Sequence, residues 1–295
     1  MSRVKFKITP ALVMTALFLA LTPGSVSQAA TIYTPTADGT VAYTSGKAVI
    51  DASHTADGYV MVKYTGSNAK VKLRIQKDTE YTYDINATGN YVTFPLTEGS
   101  GSYTIKLFEN VSGTTYSQAV SQTIQVNLAS DTVPFLYPNQ FCNFNANSNV
   151  VAVSDSITAG ITDPLKKVEA IYNYAVDNIT YDNQKAATVQ SGYLPNVDNT
   201  LSQKTGICFD YAAVMASMLR SQGIPTKLVI GYAGNVYHAW VSVYIQGQGW
   251  IDNLIYFDGT NWQLMDPTFV SSGKKSAEAL SYVSNPANYR QKFCY

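Results

Sequence analysis

Charge is scarce in this 295-residue chain. Asp, Glu, Lys and Arg make up 14% of it, against about 25% in an ordinary globular protein. The 20 basic and 20 acidic residues cancel, and no basic patch stands out. That excludes the electrostatic footprint of a nucleic-acid-binding protein. Tyrosine (22 residues), serine, threonine and asparagine carry the polarity instead, as is common in extracellular proteins. There are only two histidines and three cysteines. No calcium loop of the Asp-x-Asp-x-Asp-Gly kind is present, and neither a metal nor a cofactor is implied. Beyond the N-terminus no stretch is long and apolar enough to span a bilayer.

The N-terminus does hold an apolar run. Arg3, Lys5 and Lys7 precede residues 10–21, which are apolar, and Ser27-Gln28-Ala29-Ala30 follows after Pro23 and Gly24. About a dozen apolar residues fall short of the roughly 20 needed to cross hydrocarbon. Residues 1–29 therefore read as a secretory signal peptide, and the protein as secreted, extracellular or cell-surface associated. The segment carries three of the 20 basic residues and none of the 20 acidic ones, so its removal leaves a net charge of about −3. An odd cysteine count in an exported protein leaves at least one thiol unpaired. Cys142 and Cys294 lie near the two ends of the C-terminal half and are candidates for a disulfide; their spacing does not fix the geometry.

With 46% apolar residues the chain can build a sizeable core. Residues 30–128 read as strands. Val71, Leu73 and Ile75 alternate with Lys70, Lys72 and Arg74, the period of a half-buried strand. Similar runs recur near residues 59–64, 81–85, 91–94, 103–107 and 123–126, separated by turn residues such as Gly66-Ser67-Asn68. The spacing suggests an all-β, Ig-like sandwich with no catalytic constellation; its His54 reads as a solvated loop residue. Residues 129–140, with two prolines and no period, read as a linker. Residues 141–295 change character. Asp163-Pro164 caps a helix in which Leu165, Val168, Ile171, Tyr172, Ala175 and Ile179 recur at helical spacing. A second helix runs from about Cys208 to Gln222, with Tyr211, Val214, Met215, Met218 and Leu219 on one face and Gly223 and Pro225 as its stop. Strands follow at 227–232, 238–245 and 262–265. Helices and then an antiparallel sheet make an α+β domain.

Cys208 falls at the start of the second helix. The unpaired N–H groups and positive dipole end there favour an anion, and a helix N-terminus is one setting that activates a thiol. The same N–H groups could bind an oxyanion. The bland reading of such a residue is a buried structural cysteine. A catalytic thiol needs a base, and His238 is the sole histidine in this half. Ala239, Val241, Val243 and Ile245 share the core face of its strand, which turns His238 to the opposite face with Trp240, Ser242 and Tyr244. A third group should orient the imidazole. Asp266, at the end of the Trp262 strand, could reach the ring if that strand pairs with the His238 strand; Asp252 and Asp258 are rivals that spacing does not separate.

Five blocks in order, Gly206-x-Cys208-x-x-Tyr211-Ala212, Leu219-Arg220-Ser221-Gln222-Gly223-Ile224-Pro225, Gly231-Tyr232, His238-Ala239-Trp240-Val241 and Asp266-Pro267-Thr268, resemble the transglutaminase-like superfamily. The resemblance covers roughly residues 140–295. It implies an α+β, papain-like transglutaminase core, with Cys208 as nucleophile, His238 as base and Asp266 rather than Asp252 or Asp258 as the orienting acid. It also suggests that Tyr181 lies near the site and helps hold the oxyanion. Ser242 departs from the acidic residue that members often carry two positions after the tryptophan.

The implied chemistry is acyl transfer from a protein or peptide amide through a thioester. A primary amine then gives transamidation or cross-linking, and water gives amide or peptide hydrolysis; both outcomes use the same residues. Cell-wall peptides are candidate donors if the source is bacterial. The alternative is an extracellular binding or surface-interaction protein whose cysteine domain is only a scaffold.

Overall fold

The computed structural model describes residues 31–85, 89–252, 255–257, 262–264 and 288–295. The expected signal peptide, Asp258 and Asp266 lie outside the described residues. The N-terminal half holds β1 (Ala42–Ser45), β2 (Ala48–Asp51), β3 (Tyr59–Tyr64), β4 (Val71–Gln76), β5 (Glu80–Ile85), β6 (Tyr91–Pro95), β7 (Gly101–Ser112) and β8 (Thr115–Val126). They form two antiparallel four-stranded sheets, in the orders β1-β2-β3-β6 and β5-β4-β7-β8. The two-residue period explains them. In β4, Val71, Leu73 and Ile75 are buried while Arg74 and Gln76 are exposed; in β5, Tyr81, Tyr83 and Ile85 are buried between Glu80 and Thr82. Each such side chain contributes about 1.5–3 kcal/mol of burial.

The C-terminal half runs α1 (Asn149–Ile157), α2 (Pro164–Asn178), β9 (Thr180–Tyr181), α3 (Asn183–Thr188), α4 (Val197–Gln203), β10 (Thr205–Gly206) and α5 (Cys208–Ser221). Then come β11 (Thr226–Ala233), β12 (Val236–Ile245), β13 (Gly249–Ile251), β14 (Ile255–Phe257), β15 (Trp262–Leu264) and β16 (Tyr289–Cys294). The expected helices at 163 and 208 are α2 and α5. Asp163 caps α2 by accepting the Leu165 N–H at 2.8 Å, and Pro164 occupies the first turn, where its missing N–H has no intrahelical role. Helix α5 is the central post. Every residue from Asp210 to Ser221 is buried, and the helix packs on α1, α2, α4 and one face of the sheet β13-β12-β11-β16.

Two expectations about that sheet need correction. The Trp262 strand pairs with β14 in a separate two-stranded sheet; β12, which carries His238, pairs with β11 and β13. Nor does the second face of β12 look to solvent. His238, Trp240 and Ser242 are buried along with Ala239, Val241 and Val243. A second apolar cluster of Phe135, Val229, Trp240 and Cys294 covers it. Alternation shows that a strand has two faces, but not what lies on the second.

The covering group comes from the expected linker. Residues 133–135 form a 3₁₀ turn with Pro134 and Phe135 buried. Pro134 seats on Gly58, where a Cβ would stand 2.4 Å from the proline Cγ. Arg220, fully buried on α5, donates to the Thr226 carbonyl (3.0 and 2.7 Å), the Tyr137 carbonyl (2.6 Å) and the Tyr295 carbonyl (2.6 Å). Only a planar guanidinium fork can serve these directions at once. The halves also share a core. The ring of Tyr295 lies 5.8 Å from Tyr83, 5.5 Å from Tyr81 and 4.4 Å from Phe141.

Candidate active site

Cys208 is the first residue of α5. Ile207 before it is extended (φ −94°, ψ 176°) and offers no capping side chain. Asp210 supplies the cap from inside the helix: its Oδ2 accepts the Ile207 N–H at 2.8 Å, the return half of a capping box. This carboxylate is fully buried. Lys185 of α3 donates to it at 2.7 Å and the Tyr193 hydroxyl at 2.5 Å, while Lys185 also donates to Tyr193 at 2.7 Å. Burial opposes the charge on Lys185, but the hydrogen bonds to Asp210 and Tyr193 outweigh it and hold its pKa above the ordinary value. Burial, then the neighbouring Asp210, pushes the Tyr193 phenol up, so it stays protonated. The paired Lys185 therefore offsets the negative charge of Asp210, and the positive end of the helix dipole at Cys208 is not cancelled.

Local pairing brings Tyr181 to the same place. Strands β9 and β10 are parallel, with Tyr181 opposite Gly206, and the Asp182 N–H donates to the Gly206 carbonyl at 2.9 Å. Asp182 also caps α3, accepting the Lys185 N–H at 2.8 Å. Gly206 must be small, because a Cβ there would stand 2.7 Å from the Asp210 Cβ.

His238 sits on β12 opposite Gly231. Its ring is stacked at 24° on Trp240, with centroids 6.2 Å apart, and Tyr289 holds Trp240 edge-on at 5.3 Å. A Cβ at Gly231 would come within 2.2 Å of the Arg290 carbonyl and 2.8 Å of the Trp240 ring. Gly231 thus makes room for the tryptophan against which the histidine rests.

Cys208, His238 and Tyr181 all line one cleft of about 770 Å³, within the usual range for ligand sites. Its walls are mostly aromatic and aliphatic, with Tyr193, Phe209 and Phe141 among them. Cys208 is half-buried, whereas Cys142 and Cys294 are buried. Burial pushes both of those thiols up in pKa, more than Arg220 beside Cys142 or the Tyr81 hydroxyl beside Cys294 lowers them. All three cysteines are free, so the candidate Cys142–Cys294 disulfide is not formed; Cys142 lies 2.9 Å from Arg220 and Cys294 lies 3.8 Å from the Tyr81 hydroxyl.

Asp252 is exposed just beyond β13. Among the described residues no group of three or more His, Cys, Asp or Glu is placed to hold a metal ion, and no helix is long and apolar enough to cross a membrane. Sequence reasoning missed the Lys185–Asp210–Tyr193 group, although an acid three residues after an N-cap is a readable capping signal. It also missed Lys72, Thr82 and Asp84 of the N-terminal half, which line the far side of the cleft.

Comparison with known proteins bears on the C-terminal half. An uncharacterized protein, YebA, of Bacillus subtilis is 30% identical over 131 residues, covering 38% of this chain. A protein-glutamine gamma-glutamyltransferase of Pseudomonas aeruginosa is 30% identical over 123 residues, covering 36% of this chain. These matches span 17% and 18% of the two relatives' own lengths. The solved periplasmic domain of TgpA from Pseudomonas aeruginosa aligns over 82% of this chain and 77% of its own, at 17% identity and a TM-score of 0.36. Residues 151–267 match the model of the Transglutaminase-like superfamily, to which this part of the chain is similar.

Proposed function

We propose that the protein is a cysteine-dependent acyltransferase or amidase acting on protein or peptide amides, with Cys208 as nucleophile and His238 as base. The observation that carries this reading is that Cys208, at the tip of α5, and His238, on the neighbouring sheet, line the same cleft. His238 takes the thiol proton, and the sulfur adds to the carboxamide carbon. The N–H groups at the helix tip stabilise the oxyanion, with Tyr181 beside them. His238 returns its proton to the departing nitrogen as the C–N bond breaks, leaving a thioester and free ammonia or amine. A primary amine or water then attacks the thioester carbon, passes a proton to His238, and expels the thiol. Asp266 is the proposed partner that orients the imidazole. Both acceptors use the same residues; exclusion of water from the occupied cleft selects the amine, and entry of water selects hydrolysis.

The N-terminal residues support export, and the two-sheet half is read as an Ig-like sandwich. Protein or peptide chains, including cell-wall peptides, are the proposed donors. The test incubates the mature protein with a glutamine-containing protein and a labelled primary amine, followed by mass spectrometry. Label on glutamine supports transamidation; cut or deamidated peptides support hydrolysis. Cys208→Ala should lower either product by at least ~10³-fold. Equal turnover by that variant would contradict the reading.

A further inference from the structure

The cleft does not end within the transglutaminase-like domain. Its far wall is built by the N-terminal half. Lys72 of β4 and Thr82 and Asp84 of β5 line it together with Cys208 and His238. Lys72 and Asp84 sit directly opposite each other across the two strands and form an ion pair. The loop at Gly192 lies against that pair: a Cβ on Gly192 would stand 3.2 Å from Asp84 Oδ2. This wall is anchored by the shared core, since Tyr83, next to Thr82 and Asp84, packs 5.9 Å from Phe141. A side-chain amide alone would leave most of about 770 Å³ empty.

We infer that the outer face of β4 and β5 is a substrate subsite, and that the acyl donor is a stretch of peptide rather than an isolated amide. The inference rests on the acyl-transfer reading of Cys208. Apolar or aromatic residues of the donor next to the reacting amide lie along the apolar middle of the cleft, and a polar or charged residue beyond them meets Lys72 and Asp84. The N-terminal half then selects the donor, and is not a separate binding module.

Two variants test this. Thr82→Trp places a bulky ring in the cleft from an exposed strand position that favours aromatics. Lys72→Ala/Asp84→Ala removes a partly exposed pair that contributes little to the fold. Two probes are compared: a twelve-residue peptide with one central glutamine flanked by phenylalanine and lysine, and a blocked two-residue glutamine amide. Equilibrium binding is measured by fluorescence in a Cys208→Ala background, and thioester formation by intact mass in the Cys208 protein. The expected result is that Thr82→Trp weakens binding of the long peptide at least about tenfold more than that of the short amide, with the same split in KM. The charge-pair variant should show the split for the lysine-bearing peptide and lose it when that lysine is replaced by alanine. If thioester forms while neither variant separates the two probes, the subsite is overturned and the acyl-transfer reading stands. If binding splits as expected and no thioester forms, the subsite stands and the acyl-transfer reading falls.

Discussion

His54 shows how a single side chain departs from its sequence context. It lies between two carboxylates, with Asp38 2.7 Å from Nε2 and Asp57 2.9 Å from Nδ1, and its ring stacks on Tyr59. Burial works against charging the ring, but Asp57 and Asp38 together outweigh it and raise the pKa above the ordinary 6.5. Hydrogen bonding to His54, and then to Thr36, lowers that of Asp38. A raised folded value means that the His54 contribution is fully present below pH 6.5 and fades as pH rises through the folded pKa. The difference in Tm between the wild type and His54→Ala should therefore be larger at pH 5.5 than at pH 8.5. Both carboxylates are well exposed, so solvent screening keeps the effect small. A difference in Tm that does not change with pH would mean that the pairs do not form in solution. The sequence reads His54, beside Thr55 and Asp57, as a solvated loop residue; Asp38, the second carboxylate on its ring, arrives from 16 residues away.

At the scale of elements, the proposed activity depends on how the N-terminus of α5 is held. Lys185→Ala leaves Asp210 buried with two of its donors, at a cost of about 2 kcal/mol. Asp210→Asn in the same protein should recover part of that loss, because a neutral amide does not need the cation. A double-mutant cycle by urea denaturation measures the coupling, and strictly additive losses would contradict the pairing. Gly206→Ala pushes Asp210 away from Ile207, and should slow alkylation of Cys208 more than it lowers Tm. The helix itself was legible: apolar residues at 3.6-residue spacing and the Gly223-Pro225 stop gave α5 to within a residue. The strands β11 and β12 were legible for the same kind of reason. The pairing of the Trp262 strand with β14 was missed, although Asp258-Gly259 between the two strands is a hairpin signal. The side chains that donate to Asp210 come from α3 and the loop after it, neither of which shows a helical period long enough to read.

At the scale of the whole molecule, the two halves are joined through Tyr81, Tyr83, Phe141 and Tyr295, and by the Thr97 hydroxyl donating to the Cys294 carbonyl at 3.0 Å. The contacts of Tyr81, Tyr83 and Thr97 with Cys294 and Tyr295 join residues about 200 positions apart, and nothing in a local period announces them. The sequence reads as two halves of different class, and the pairing of Cys208 with His238 came from the sole histidine of the C-terminal half and then from the order of five motif blocks; the junction that makes the cleft was not readable. A shared core predicts one calorimetric unfolding transition for both halves. Tyr83→Ala, which removes a buried ring at the junction, should lower the stability of that single transition by about 3–5 kcal/mol. Two resolved transitions, with only the first moved, would show that the halves are independent. The central claim is that Cys208 is activated by His238, and it is tested most directly by the rate of iodoacetamide alkylation at pH 7, mapped to each cysteine by peptide mass. The account predicts that Cys208 reacts about tenfold faster than an ordinary cysteine, that His238→Ala removes this advantage, and that buried Cys142 and Cys294 stay unlabelled. Alkylation of Cys208 at the ordinary rate, unchanged by His238→Ala, would contradict it.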